Sequence, residues 1–300
     1  MAEKLKVIIA NPAGNATILV LSPVLRKQYA EVAGKLLQID FREYAAGSDG
    51  ETPFAPGTFT EEVYREAIRG EQVGFVLQDR TDPGTGEKIA AIEMSGMEFC
   101  GNAFRAFACW KARCFRPPLQ EVKGLMSGCE EILTAEIDSG GEDAGVYMPL
   151  PLSVTRWPAK EDTEGFHWQP GEGVLVDLGG IAHLILSGTK PSEELFRAIR
   201  KRFRRFPAFG VMFLDMESNF MTPVVYVRDT GTTYFEGSCA SGTTAAAVVK
   251  TMEKPDGTYR YTFCQPAGTL TAQVRKEAGA ITEIRLGGKV ELSGIIEVEL

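Results

Sequence analysis

The chain has 300 residues, 44% of them hydrophobic, and a formal net charge of -8 at pH 7. That is enough apolar mass for one large core or two ordinary ones, while the acidic balance argues against a nucleic-acid or anionic-membrane partner and for a small-molecule substrate. No apolar run approaches the ~18 residues of a membrane span, and the apolar stretch in "MAEKLKVIIANPAG" is too short for a secretory signal, so a cytoplasmic location is expected.

Lys6 to Ala10 reads as a strand, "NPAGNA" as a loop, and Thr17 to Leu21 as a second strand. A helix is expected from Ser22, with Pro23 in its first turn and Leu25, Tyr29, Val32, Leu36 and Leu37 as its buried stripe. Thr58-x-x-Glu61 is a capping-box signature for a helix that stops at Gly70, and the strand "EQVGFVLQ" follows. After the turn "TDPGTGEK", the strand "IAAIEMSG" leads to Cys100 and a helix, with strands beyond it at Ile132 to Ile137 and Gly145 to Met148.

The second half repeats the plan. "GVLVDLGGIAHLILSG" reads as paired strands, Ser192 starts a helix towards Phe206, and strands run from Gly210 to Asp215 and Val224 to Arg228. Cys239 then opens a helix, and "YRYTFCQPAGTLTAQV" parallels "SGCEEILTAEID" of the first half. A cysteine-headed helix between strands in each half implies two duplicated α+β halves, joined near "LPLSVTRWPAKEDTEG". The basic run "RAIRKRFRR" reads as the solvated side of the helix whose buried stripe is Leu195, Phe196, Ile199, Phe203 and Phe206, rather than as a nucleic-acid patch.

Six cysteines, at 100, 109, 114, 129, 239 and 264, form no CxxC pair, and two histidines are too few to complete a usual zinc set, so no metal is expected. In a reducing compartment each thiol is either packing or chemistry. Cys109, Cys114, Cys129 and Cys264 read as packing. Cys100 in "EFCGNAFRAFACW" and Cys239 in "EGSCASGTTAAAVV" each precede small residues that run into a helix. A cysteine there meets unpaired amides and the positive end of the helix dipole, which favour thiolate. Gly101-Asn102 and Ser241-Gly242-Thr243 carry little bulk, so amides can approach an anion. Either motif alone reads plainly as a packed cysteine; the pair points to two sulfurs that remove and return a proton on opposite faces of an amino-acid α-carbon, with no cofactor.

These residues resemble the diaminopimelate epimerase family, pyridoxal-phosphate-independent racemases and epimerases. "AGNATILV" is similar to the family's early Gly-Asn turn, "EQVGFV" to its Gln-bearing strand, "CGNAFR" and "CASGTTAAA" to its two cysteine motifs, and "QPAGTL" to its late Pro-Gly-Gly-Thr-like turn. The resemblance covers nearly the whole chain. It implies an α+β fold of two pseudo-symmetric domains, each a curved, mostly antiparallel sheet around a central helix. Residues 1–147 would carry Cys100, residues 148–289 Cys239, and the last strand, about 290–300, would return to the first domain. It also implies a homodimer, Cys100 and Cys239 as the acid/base pair, and Asn15, Gln72, Asn102, His183 and Ser241 as substrate-contacting or site-ordering groups. Asn15 also suits a turn, Gln72 a strand end, and His183 a satisfied core histidine. Glu236, three residues before Cys239, reads as a polar neighbour of the site or as a solvated residue.

The departures concern the far end of the substrate. The family's Gly-Asn-Pro-His is here "GIAH", with Ile181 at the Asn position; Gly210 replaces a second distal Asn; and "RDTGTTYFEG" stands where a Glu-Arg-Gly run would be. Without those partners a second amino-carboxylate group would go unsatisfied, which is costly. A simpler amino acid is therefore expected, and the pattern is similar to that of the histidine racemases of the same superfamily, which keep both cysteines and lack the distal set. A diaminopimelate epimerase with a remodelled pocket, a double-bond isomerase of the same fold, and a non-catalytic amino-acid binding protein are the other readings.

Overall fold

The computed structural model describes residues 4–41, 70–82, 84–157, 173–228 and 231–300. By its contacts the chain divides into two compact units, Met1–Val146 with Gly288–Leu300, and Tyr147–Gly287.

The first unit opens with β1 (Lys4–Pro12) and β2 (Thr17–Val20), then α1 (Tyr29–Leu36), β3 (Gln72–Thr81) and β4 (Lys88–Met94). α2 (Gly101–Arg113), β5 (Glu121–Met126), β6 (Leu133–Ile137) and β7 (Ala144–Tyr147) follow. β2 pairs parallel with β3, and β4 parallel with β5; the neighbours β1–β2, β3–β4, β5–β6 and β6–β7 are antiparallel. Parallel neighbours need a crossover, and α2 lies in the one between β4 and β5. β1 is buried on both faces from Val7 to Ala10, with residues alternating between them. Leu5, Val7 and Ile9 join the core formed with Tyr29, Val32 and Leu36 of α1, and alternation turns Ile8 and Ala10 to the opposite face. α2 packs against β1, β2, β5 and β6. It is buried on nearly every side, as a central helix must be, and Gly124 of β5 gives it room: a Cβ there would come 2.7 Å from the Phe104 ring.

The helix expected at Ser22 starts later. Ser22 Oγ accepts the Lys6 amide at 2.8 Å instead of capping a helix, a 3-10 turn covers Arg26–Gln28, and Leu25 is exposed. Tyr29, Val32 and Leu36 keep their buried places, with the Tyr29 ring stacked on Phe75. The helix expected after Thr58 lies outside the described residues.

The second unit runs β8 (Ser153–Trp157), β9 (Gly173–Asp177), β10 (Ala182–Ser187), α3 (Glu193–Arg200), β11 (Ala208–Leu214), β12 (Met221–Val227) and β13 (Thr232–Phe235). α4 (Ala240–Thr251), β14 (Gly257–Gln265), β15 (Gly268–Glu277) and β16 (Ala280–Gly287) complete it. β8 lies inside the segment read as a linker, where it pairs antiparallel with β9. β10 and β11 are parallel across α3, and a parallel bridge joins Phe220 to Cys264 across α4. α4 packs on β10, β11, β14, β15 and β16, and its buried Thr243, Thr244 and Thr251 hydroxyls donate to the carbonyls four residues back. Ser192 caps α3 by accepting the Leu195 amide. The basic residues of that region face outward: Arg197 pairs with Glu193, and the Arg200 guanidinium sits 4.1 Å over the Tyr226 ring.

The chain ends on β17 (Val290–Leu292) and β18 (Ile296–Glu299), both antiparallel to β1. Arg105, fully buried in α2, fastens the segment that precedes them. Its Nε donates to Ala144 O at 3.0 Å, and its terminal nitrogens donate to Asn102 Oδ1 at 3.1 Å and to the carbonyls of Gly288 and Lys289. Burial lowers its pKa to about 10, so the cation persists at neutral pH. Among the described residues, no helix is long and apolar enough to cross a membrane. Replacing Arg105 by alanine would remove the donors of the buried Ala144 carbonyl and of the part-buried Gly288 and Lys289 carbonyls, and we expect a loss of about 3 kcal/mol in equilibrium denaturation.

Candidate active site

The strand β4 ends at Met94, and the chain must then turn sharply to present Cys100. The turn after β5 holds it there. Ser127 Oγ accepts the Met94 amide at 2.8 Å and donates to Glu98 O at 3.0 Å. Gly128, at φ +73°, lies so close that a Cβ would overlap Phe99 N and sit 2.7 Å from the Glu98 carbonyl carbon. Cys100 is extended (φ -138°, ψ 106°), and its sulfur accepts the Ala103 amide at 3.5 Å, so the cysteine itself caps α2. Gly101 and Asn102 form the first turn and are buried; Asn102 Oδ1 is engaged by Arg105. Glu98, two residues before the sulfur, has an Oε2 buried without a partner, and burial raises its pKa.

Asn15 and Gln72 come together in this unit. Gln72 Nε2 donates to Asn15 Oδ1 at 2.5 Å and to Thr17 Oγ1 at 2.8 Å, while Asn15 Nδ2 donates to Glu71 Oε2 at 3.0 Å. The parallel register of β2 and β3, which sets Thr17 beside Gln72, brings these amides within reach. They order one another through side chains 57 positions apart in the chain.

The second unit caps α4 in the same way with different supports. Cys239 is extended (φ -127°, ψ 114°), and its sulfur accepts the Gly242 amide at 3.3 Å. Gln265, buried at the end of β14, accepts the Cys239 amide at 2.8 Å and donates to Thr243 Oγ1 at 3.0 Å. Thr243 in turn donates to Cys239 O at 2.7 Å, which closes a ring of hydrogen bonds around the first turn. Ser241 Oγ lies 3.6 Å from Cys239 Sγ and 2.8 Å from His183 Nε2. His183 is fully buried, and burial lowers its pKa to about 3, so the ring is neutral at physiological pH.

Two expectations change here. Cys239 was expected to be acidified by the helix N-terminus, but burial pushes its thiol well above its usual range, and the nearby Glu236 carboxylate, which accepts the S–H, pushes it further; the Ser241 and Gly242 donors pull the other way and are outweighed. Gly242 does not offer a spare amide: its N–H is spent on the sulfur, and its missing Cβ makes room for Met212 Sδ. At Gly210 a Cβ would overlap His183 Nδ1, so the ring occupies the space a side chain would need. Of the four cysteines read as packing, only Cys109 is buried, its pKa raised to about 12 by that burial; Cys114 and Cys264 are exposed and Cys129 is intermediate.

Ser127, Gly128, Arg105 and Gln265 were not singled out from the sequence as supports of these turns. Only the "SG" and "QPAG" turn signals hinted at them, and neither signal says which strand end it would touch.

Against solved structures the chain shares the fold of proline-type epimerases and phenazine biosynthesis proteins. A hydroxyproline epimerase from Agrobacterium vitis with bound trans-4-hydroxy-L-proline matches at TM-score 0.62 and 12% identity, over 100% of this chain and 94% of that one. A PhzF-family phenazine biosynthesis protein from Bacillus anthracis matches at TM-score 0.63 and 15% identity, over 99% and 100%. This is an α+β fold of the amino-acid epimerase and racemase class.

Sequence narrows the class further. The profile described as histidine racemase CntK N-terminal domain matches residues 61–295, and the chain belongs to that family of pyridoxal-phosphate-independent racemases. A histidine racemase of Fusobacterium nucleatum is 30% identical over 248 residues, 78% of this chain and 83% of the relative. One from Staphylococcus aureus is 23% identical over 267 residues, 87% and 85% of the two chains.

The neutral burial of His183 has a pH consequence. Its folded pKa of about 3 lies below the unfolded value of 6.5, so below pH 6.5 the unfolded chain binds a proton that the folded chain refuses. Its contribution to stability is therefore full above pH 6.5 and falls steadily as the pH drops towards 3, by about 2 kcal/mol at pH 5. Denaturant melts of the natural protein and His183→Gln at pH 7.5 and 5 should show the smaller acid loss in the variant.

Proposed function

We propose that the chain racemises histidine by a two-sulfur mechanism, with Cys100 and Cys239 exchanging protons with opposite faces of the α-carbon. The observation that carries the reading is the recurrence, in both units, of an extended cysteine whose sulfur caps the helix after it, in a chain of the histidine racemase CntK family. The two units also repeat an order of strand pairings: antiparallel, parallel across a helix, antiparallel, a parallel step across the cysteine-headed helix, and two antiparallel pairs. We read this as duplication, with two pseudo-symmetric domains, the second ending near residue 289. A homodimer, from the resemblance, and a cytoplasmic location, consistent with six free thiols, belong to the same proposal.

In this mechanism one sulfur, as thiolate, takes the α-proton. The electron pair left behind spreads into the α-carboxylate, where first-turn amides, which have no intrahelical partner, stabilise the growing charge. The other sulfur, as thiol, gives its proton to the far face. Cys239 starts as the thiol: its S–H is held by Glu236 and its burial disfavours the anion, while the Ser241 and Gly242 donors are in place for the thiolate it becomes. Asn15, Gln72, Gly101 and Asn102 in one unit, and His183, Ser241, Gly242 and Thr243 in the other, hold or order the substrate-binding surfaces. Diaminopimelate is disfavoured by Ile181, and by Gly210, where any side chain would strike His183.

Incubation with L-histidine in deuterated water should give D-histidine carrying α-deuterium, and Cys100→Ala or Cys239→Ala should each lower the rate by about a thousandfold or more. No exchange with histidine, or full rate in either variant, would end the proposal. Glu236→Gln removes the charge that holds the Cys239 thiol up, so alkylation of Cys239 at pH 8, mapped by mass spectrometry, should become several-fold faster. An unchanged or slower alkylation would show that Glu236 does not control this sulfur.

A further inference from the structure

The two neutral tautomers of His183 are not equivalent in their buried place on β10. Nε2 lies 2.8 Å from Ser241 Oγ, while Nδ1 is buried with no hydrogen-bond partner. A proton on Nδ1 would leave an N–H donor unpaired; a proton on Nε2 leaves only a lone pair unpaired, the milder defect. The ring therefore carries its proton on Nε2 and donates to Ser241 Oγ. The serine's own proton is then free to point at Cys239 Sγ, 3.6 Å away.

Gly210 decides whether this line can form. It stands directly beside His183 in the parallel register of β10 and β11. A Cβ at Gly210 would overlap Nδ1 and come 2.9 Å from both the ring Cε1 and Met212 Cε. The ring cannot easily yield, because His183, β11 and Met212 are all buried. Met212 is itself confined on its other side by Gly242, whose missing Cβ leaves the room its sulfur occupies.

We propose that Gly210 is a positioning residue for racemisation: by admitting the His183 ring against its bare α-carbon, it orients the Ser241 hydroxyl to donate to the Cys239 sulfur. This rests on the assignment of proton transfer to Cys239. When that sulfur gives its proton to the α-carbon it becomes a thiolate, and the Ser241 O–H and Gly242 N–H meet the new charge with two hydrogen bonds. When it takes a proton back, both donors stay where they are. No bond to His183 or Ser241 is made or broken, so their part is orientation and charge stabilisation.

Because the chain has two histidines, a long-range 15N–1H spectrum of the imidazoles is simple to read. His183 should appear as the Nε2–H tautomer and should not titrate between roughly pH 5 and 8. Ser241→Ala and Gly210→Ala should each lower kcat about tenfold or more, with KM within about threefold. Gly210→Ala should also shift the His183 signals, and His183→Gln, which keeps an N–H donor, should retain more rate than His183→Leu. Ser241→Ala removes one oxygen, so it tests the line even if Gly210→Ala fails to fold. An Nδ1–H ring, wild-type imidazole signals in Gly210→Ala, or wild-type kcat in Ser241→Ala overturns the proposal. Full rate in Cys239→Ala would overturn the two-sulfur reading beneath it, an outcome told apart because the tautomer is read without substrate.

Discussion

A sulfur that accepts an amide from the first turn of a helix is the interaction on which both units are organised. Cys100 takes the amide of Ala103, and Cys239 that of Gly242. In each case the cysteine must be extended while the next residue is already helical, so the chain before it has to arrive along one direction only. Much of the surrounding structure enforces that direction. In the first unit Ser127 and Gly128 press on the backbone at Glu98 and Phe99; in the second Gln265 holds the Cys239 amide and Thr243 together. The supports differ in chemistry and agree in place, each lying at the end of the strand that follows the cysteine-headed helix.

The environment of Cys239 shows that a helix N-terminus does not by itself set a thiol's acidity. The dipole and one or two donors favour the anion, but removing a sulfur from water disfavours it, and a neighbouring carboxylate disfavours it again. At Cys239 the second set is larger. The same sulfur thus has an acceptor for its proton as a thiol and donors for its charge as a thiolate, which suits the proposal that it occupies both states in turn.

Buried polar groups mark where this fold is specified tightly. Arg105 threads α2 to Ala144, Gly288 and Lys289, so the end of the chain is tied to its first half by a side chain as well as by strand pairing. His183 is the opposite case, a ring with one nitrogen used and one left without a partner. The first stabilises through a hydrogen bond from each guanidinium nitrogen; the second keeps a single bond, to the serine in the cysteine turn.

The sequence by itself determined what depends on near neighbours: most of the strands, the Ser192 cap, and both cysteine-headed helices, because a cap and its first turn span only four or five residues. It also carried the family resemblance in those same short motifs. Only the tertiary structure decided that Ser22 would serve the Lys6 amide rather than a helix, that Gly210 would lodge a histidine 27 positions earlier, and that burial, with Glu236 beside it, would push the Cys239 thiol up. Each of these depends on which strand lies beside which and on how much water is excluded. Which segments meet, and how deeply a polar group is buried between them, arises from pairings between distant segments that no local pattern of residues names.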